Sequence, residues 1–550
     1  MTVWPARTAA AIVLGLTLTS IAAPAPSVSA AGQPAPVSVT MIAPITVPAR
    51  TTGLIDAARL ANYTAEFGVL TRALDQVIDR PIALGIDPAI IASIRVLGTD
   101  APPSALAWLE RLSLASNETF PLAYADADLA LGLEAGSGVP LAPLSFDFAI
   151  RADRFSAETV DEAPTPAATT APDEVPPLPT SESLVAWNYT VPSIVWPAMG
   201  AVAASSLATL GQSFDTVVLS SDNVGSWRGP VAHATVDSVN ALVADSALSA
   251  QFAATVSSSS EEWAAAVAGL TAAIAAVPST DDAPASVLIA VDRTLPLSSA
   301  QLGTTISAIV AEPGIAAGSL SALLAAPPTT AALIDSGHDP EAISRASSLL
   351  HDEREVRSYA EIADDPLRIT SDRRLKLLST LAIGWQQNRS GWQTAVATYR
   401  ADSIALRHSV RIVKSSTINL WADRASLPVT IANDLNQPIT VFVTVRPLSP
   451  LIRVEDSWVE VTVAPRSQAK ASVPVQSLSN GTVALEISLH SSSGLRVDSP
   501  TYVTTTVQAG WETPVTYALG AVVLLVFAAG VVRTIVRRRR AAAASAESED

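Results

Sequence analysis

The chain has 550 residues, of which 49% are hydrophobic, 15% charged and 5% aromatic, room for about two to four domains with large cores. Its formal net charge of -17 excludes a duplex nucleic-acid binder, which needs a basic footprint. Cysteine is absent, which excludes a disulfide framework, a thiolate zinc site and a cysteine nucleophile.

Residues 1–30 read as a signal peptide. Arg7 supplies the positive start, Ala9 to Ala23 the apolar run, and Val28-Ser29-Ala30 the small residues that a signal peptidase reads. The mature chain then begins near Ala31.

Short apolar runs follow at Val37–Ile42, Ile82–Ile86, Thr119–Tyr124, Ser193–Trp196, Phe214–Leu219, Val231–Val236 and Ser286–Val291. Continuous apolar runs of this length suit parallel strands buried on both faces. Helical spacing fills Leu54–Val77, Pro88–Leu97, Ser104–Leu114 and Ala198–Leu210. The alternation predicts an α/β barrel-like domain over residues 31–338; the same pattern can also build an open doubly wound sheet. Asp161 to Ser183, rich in Pro, Thr and acids, reads as a disordered insertion, either a solvated loop or a site of O-glycosylation.

From Asp339 to Val410 charged residues return in a helical pattern. This is a helical connector or the end of the barrel-like domain. Between residues 411 and 507 the period drops to two, in Val429–Ile431, Ile439–Val445, Trp458–Val463, Ala469–Val475 and Val483–Leu489. That alternation predicts an immunoglobulin-like β-sandwich that folds alone. Residues 515–536 read as one C-terminal transmembrane helix. Arg533, Arg537, Arg538, Arg539 and Arg540 on its C-terminal flank place the tail, residues 537–550, in the cytoplasm by the positive-inside rule. The ectodomain is then extracytoplasmic, and its charge is near -20 once the basic signal and tail are set aside.

In a barrel, functional groups gather at the C-terminal ends of the strands. Those ends carry Asp87, Tyr124, Asp126, Asp128, Trp196 and Asp292. Asp126, Asp128, Asp87 and Asp292 are the candidate catalytic carboxylates, since a pair of acids can cleave a glycosidic bond. Tyr124 and Trp196 are the candidate substrate-binding aromatics. Each acid has a plainer role open to it as the cap of the next helix, and each aromatic as core packing. No two of the five histidines have metal-ligand spacing on a helix. No P-loop, dinucleotide fingerprint or nucleophile elbow occurs. No metal and no cofactor are expected.

Ile82–Ile91 (IALGIDPAII), Phe120–Asp128 (FPLAYADAD) and Leu427–Val445 (LPVTIANDLNQPITVFVTV), followed by a single span and a basic tail, resemble an uncharacterised family of exported, membrane-anchored actinobacterial envelope proteins. Genes of that family often lie beside the gene of the lipid II flippase. The barrel-like part also resembles the fold of some glycoside hydrolases and polysaccharide deacetylases, but it lacks the H-x-x-x-H of the deacetylases. The resemblance implies an envelope protein tethered to the plasma membrane and carries no activity over to any residue. The leading expectation is a protein that binds cell-wall glycan, a wall-assembly partner or lipid II-handling proteins, without an evident catalytic site. The other expectation is a glycosidase-like enzyme using the strand-end acids.

Overall fold

A computed structural model describes residues 36–155, 178–225, 232–279, 285–414, 418–420, 422–507 and 512–546. The expected signal peptide, and residues 161–177 of the expected insertion, lie outside the described residues. The insertion ends sooner than expected. Thr180 and Ser183 form a capping box that opens the helix Ser181–Val185, because each side chain satisfies a backbone N–H at the helix start.

Eleven described strands form one sheet: β1 (Val37–Ile45), β2 (Ala83–Ile86), β3 (Thr119–Pro121), β4 (Ile194–Val195), β5 (Thr216–Ser220), β6 (Val224–Gly225), β7 (His233–Val236), β8 (Val239–Ala244), β9 (Ser286–Ala290), β10 (Ile315–Ala317) and β11 (Thr329–Leu333). β1 lies between β2 and β9 and is parallel to both. Parallel pairing continues from β2 to β3, and from β9 through β8 and β5 to β4. The two ends of this run meet: the Val191 N–H, just before β4, donates to the Thr119 carbonyl at 3.0 Å, and the Thr119 N–H donates to Thr190 Oγ1 at 3.1 Å. The sheet therefore curls back on itself.

Alternation along each strand sends its side chains two ways. Ile42, Phe120, Trp196, Val218, Leu242 and Leu288 form one cluster fed by strands all around the curl. Met41, Leu84 and Ile289 pack instead with helix residues such as Leu70, Ile90, Phe252 and Ile306. The Ala-rich helices thus cover the outside.

Two expected elements are corrected. The described part of the expected strand Val231–Val236 is β7, which is parallel to β11 but forms the arm of a hairpin that runs antiparallel to β8. Asp237 and Ser238 between them have φ of +47° and +73°, as a two-residue hairpin turn requires. The parallel position belongs to β8. The expected helix Leu54–Val77 is two helices, Ala57–Thr64 and Val69–Val77. At the break, a Cβ on Gly68 would lie 2.2 Å from the Tyr63 carbonyl oxygen, so only glycine permits this close turn.

Helices Pro340–Ala360, Pro366–Thr380 and Arg389–Arg407 follow. The first of them enters two cores. Its Ala346, Leu349 and Leu350 pack with Leu131 and Val217 of the curled region, whereas its Val356, Tyr359 and Ala360 pack with the strands beyond.

Those strands are β12 (Val410–Ile412), β13 (Ile418–Leu420), β14 (Arg424–Asn433), β15 (Ile439–Pro447), β16 (Ile452–Val454), β17 (Val459–Val463), β18 (Ser467–Ser477), β19 (Gly481–His490) and β20 (Thr501–Val507). They form a four-stranded sheet, β12-β14-β18-β16, and a five-stranded one, β13-β20-β19-β15-β17. Leu427, Val429 and Ile431 of the first share a core with Val441, Val443, Leu485 and Ile487 of the second. All pairings within these sheets are antiparallel except β13 with β20. A helix, Glu512–Ala546, completes the described chain. Its segment Val515–Arg540 is long and apolar enough to cross a membrane.

Candidate functional site

The parallel strands bring their C-terminal ends to one rim, and a cleft of about 390 Å³ opens there. Pro44 at the end of β1 and Thr46 to Arg50 beyond it, Ala125 and Asp126 beyond β3, and Arg293 to Leu297 beyond β9 contribute to its lining. Ala382, Trp385, Gln387 and Asn388 contribute from the helical segment.

Asp126 lies at the floor. It is 5% exposed and has a φ of +50°, following Ala125 at +59°. Two consecutive left-handed residues that are not glycine are strained and persist only where the surroundings hold them. Here the holding contact is Arg293, whose Nη2 and Nε donate to the two Asp126 carboxylate oxygens at 3.1 and 3.3 Å. Both side chains are almost wholly buried. Arg293 Nη2 also donates to the Trp196 carbonyl at 2.9 Å, and the guanidinium lies 3.9 Å from the centre of the Trp196 ring. Burial pushes the Asp126 carboxyl above the usual range, against the pull of Arg293.

The other expected acids divide. Asp87 is buried and caps the helix Pro88–Val96, accepting the Ala89 N–H at 2.8 Å; it also accepts the Ala125 N–H at 2.8 Å. It therefore ties the end of β2 to the strained loop after β3. Burial pushes its carboxyl up to about 6, against the Arg50 charge and the Ala89 N–H. Asp128 caps the helix Leu129–Glu134 and accepts from His338 Nε2 at 2.8 Å. Asp292 accepts the Thr294 N–H at 2.6 Å and shapes the turn that carries Arg293.

The aromatics are inside the protein. Tyr124 is buried, and its hydroxyl donates to the Gly53 carbonyl at 2.9 Å. Trp196 packs 6.1 Å from the Phe120 ring, and its indole N–H points to Met199 Sδ at 3.1 Å. Of the expected residues, Asp126 alone lines the cleft; Asp87, Trp196 and Asp292 support residues that do.

Three participants escaped the sequence reading. Arg50 is 8% exposed and lines the cleft. Arg293 holds Asp126. His338 is clamped between Asp128 and Glu134, with Nδ1 2.9 Å from Glu134 Oε1. Burial pulls its pKa down, but the hydrogen bonds and charges of the two acids outweigh this and hold it up to about 9. A signal for Arg293 existed: Arg228 and Arg293 are the sole lysine or arginine residues between Arg154 and Arg345, and Arg293 follows a strand end closely. Among the described residues no group of three or more His, Asp or Glu side chains is placed to hold a metal ion.

Fold and site together define a mixed helix and strand protein with a curled, largely parallel sheet, a charged cleft at its rim and one apolar C-terminal helix. The chain belongs to a family described as "Family of unknown function (DUF6049)", whose model matches residues 16–546. No curated protein matches it in sequence. Among solved structures, the alpha-amylase AmyC from Thermotoga maritima is 9% identical, with 68% of this chain and 93% of that chain covered and a TM-score of 0.41. Native alpha-2-macroglobulin from Escherichia coli, from domain MG7 to the C-terminus, is 17% identical, with a TM-score of 0.15. That match covers 18% of this chain and 16% of the macroglobulin chain. WR4, an MSP family member of C. elegans, is 11% identical, with 18% and 98% covered and a TM-score of 0.15.

Proposed function

We propose that this is a membrane-anchored protein of the cell envelope that binds cell-wall glycan or a wall-assembly partner through the strand-end cleft, without catalysing a reaction. In this reading the curled sheet is a closed barrel and the paired sheets are an immunoglobulin-like stalk. The ectodomain lies outside the cell, and Arg533 and Arg537 to Arg540 keep the tail in the cytoplasm.

One observation carries the preference for binding. The rim acids are already spent: Asp87 and Asp128 cap helices, and Asp126 is closed by Arg293. A glycosidase needs one carboxyl free to protonate the leaving oxygen and another free to attack or to activate water. The second reading, a glycosidase-like enzyme using Asp126 with Asp87 or Asp292, draws support from the raised Asp87 carboxyl, since such a group can serve as a general acid near neutrality.

The test is affinity purification of the full chain from membranes, together with binding of the purified protein to wall glycan fragments. Retention of glycan without cleavage, or of wall-assembly proteins, supports the binding reading. Release of reducing ends by the wild-type protein, lost in an Asp126→Asn variant shown to remain folded, would establish the enzyme instead. Protease added to intact, wall-stripped cells tests the topology: the ectodomain should be digested, and its full protection would reverse the orientation.

A further inference from the structure

We propose that the cleft is an oxyanion site, in which Arg50 and Arg293 together receive a carboxylate or phosphate group of a small solute or of a polymer end. Both arginines line the cleft and both are more than nine-tenths buried. Each keeps donors that nothing among the described residues uses. Among the described residues, Arg50 Nε and Nη2 have no hydrogen-bond partner, and neither does Arg293 Nη1. Arg50 also makes no ion pair within 4 Å among the described residues.

A buried guanidinium with idle donors is costly, because it has left water without replacing what water supplied. Proteins keep such groups where a ligand completes them, and the planar fork of arginine matches carboxylate and phosphate oxygens. The surroundings fit this use. Asp126 and the Trp196 carbonyl fix Arg293 by its Nε and Nη2. Nη1 is thereby left over, on a side chain that cannot swing away. Asp87, the acid whose charge bears on Arg50, has its carboxylate engaged by the Ala89 and Ala125 N–H groups. Two arginines therefore face the cleft with unused donors; Asp126 pairs with one of them, and the charge of Asp87 bears on the other without a hydrogen bond to it among the described residues. An oxyanion site on a chain with a net charge of -17 must act at short range, through its unused donors, since the acidic exterior repels anions from a distance.

This inference deepens the binding reading at the same cleft but does not depend on glycan. Thermal unfolding and calorimetry of the full chain in detergent would use acetate, inorganic phosphate, glucuronate, glucose 6-phosphate and neutral glucose, with chloride at matched ionic strength. The oxyanions should raise the unfolding temperature, and chloride should not. Free acetate or phosphate acting alone identifies a simple anion. Tighter binding of glucuronate or glucose 6-phosphate identifies an acidic sugar.

Arg50→Leu should abolish the shift, and Arg50→Lys should weaken binding by at least about tenfold, the usual effect of losing a charge-assisted hydrogen bond. Absence of any oxyanion effect on the wild type overturns the proposal, and so does an unchanged effect in a folded Arg50→Leu protein. If Arg50→Leu does not fold, Arg50→Lys decides by the same criterion. Wall glycan that binds when oxyanions do not would spare the glycan reading and defeat this one; the converse result defeats the glycan reading alone.

Discussion

The curled region and the paired antiparallel sheets bury different things. Residues 36–338 bury Arg50, Asp87, Asp126 and Asp128, whereas among the described residues 410–507 bury no charged side chain. The most demanding interior group in the antiparallel region is Asn433, whose amide donates to the carbonyls of Gln437, Val463 and Ala464. Topology explains part of the contrast. Parallel strands deliver all their C-terminal ends to one rim, whereas antiparallel strands send successive ends to opposite sides. Energetics explains the rest. Buried ion pairs seldom stabilise more than apolar packing of the same volume would. The buried charges of the curled region are therefore poorly explained by stability alone, whereas the paired sheets need no such explanation.

The sharpest way to break this comparison is Asp126→Ala. It strands the Arg293 guanidinium in a dry site, and losing one partner of a buried pair costs about 3–5 kcal/mol. Replacing both residues, as in Asp126→Leu with Arg293→Met, should recover most of that loss. Denaturant unfolding of the two variants measures it. A loss below about 1 kcal/mol in the single variant would mean that the pair is wet, like a surface pair. By the same argument Asp126→Asn is not innocent: it keeps the shape but leaves the Arg293 charge uncompensated.

The matching test in the scaffold is Leu485→Ala. Leu485 has no exposure and packs between the two sheets, so a cost of about 2–5 kcal/mol is expected from the lost burial and the cavity. No oxyanion should offset that cost, whereas oxyanions should raise the stability of the wild-type rim. An equal response of the two regions to ligand would remove the distinction between site and scaffold.

How legible each region was follows from its period. In the antiparallel region every second residue faces the core, so Val441, Val443 and Val445 marked their strand at once, and all five expected strands are present. The curled region gave its parallel strands as apolar runs. It hid β8 because the hairpin turn Asp237-Ser238 carries neither the Asn-Gly nor the Asp-Gly that usually signals one. The acids of the rim were legible as strand-end residues; their partners were not. Arg50 lies five residues beyond β1, and His338 lies 210 residues from Asp128. Nothing local ties such pairs together. The helical segment, expected as a connector or as the end of the barrel-like domain, also contributes to the core of the paired sheets. The Thr440 N–H donates to the Ile362 carbonyl at 2.8 Å, and Val356, Ile362 and Ala363 belong to the core of the paired sheets. A fragment from Ser409 to Val507 therefore lacks part of its own core.

Proton linkage sharpens the comparison next. His338 stands above its ordinary value, at about 9. The native state therefore holds the proton more tightly than the unfolded chain does. Its contribution is complete below the unfolded pKa of about 6.5 and is lost as pH rises through about 9. Asp87, pushed up to about 6, has the same sign in another window: its ionisation destabilises the fold as pH rises from about 3.9 toward 6. Each group sets a slope of at most about 1.4 kcal/mol per pH unit within its window. His338→Gln should flatten the alkaline limb of the stability profile and leave the acid limb unchanged. An unchanged alkaline limb would show that His338 is neutral in the folded protein.

The smallest expected effect concerns the helix that joins the two regions. Asp339 caps Pro340–Ala360 by accepting the Ala342 N–H at 2.8 Å, and it pairs with Arg389 at 3.0 Å on the surface. The exposed pair contributes little, so Asp339→Asn, which keeps a capping oxygen, should be nearly neutral. Asp339→Ala should cost about 1 kcal/mol. The location of the loss matters more than its size. The capped end of the helix packs in the curled region and the far end in the paired sheets. If the helix couples both cores into one cooperative unit, Asp339→Ala lowers a single unfolding transition, seen alike by the tryptophans of either region. If the cores unfold separately, only the transition reported by Trp196 and Trp385 moves, and the one reported by Trp458 stays. The second outcome would make the paired sheets an independent stalk; the first would make them a structural part of the body that holds the cleft.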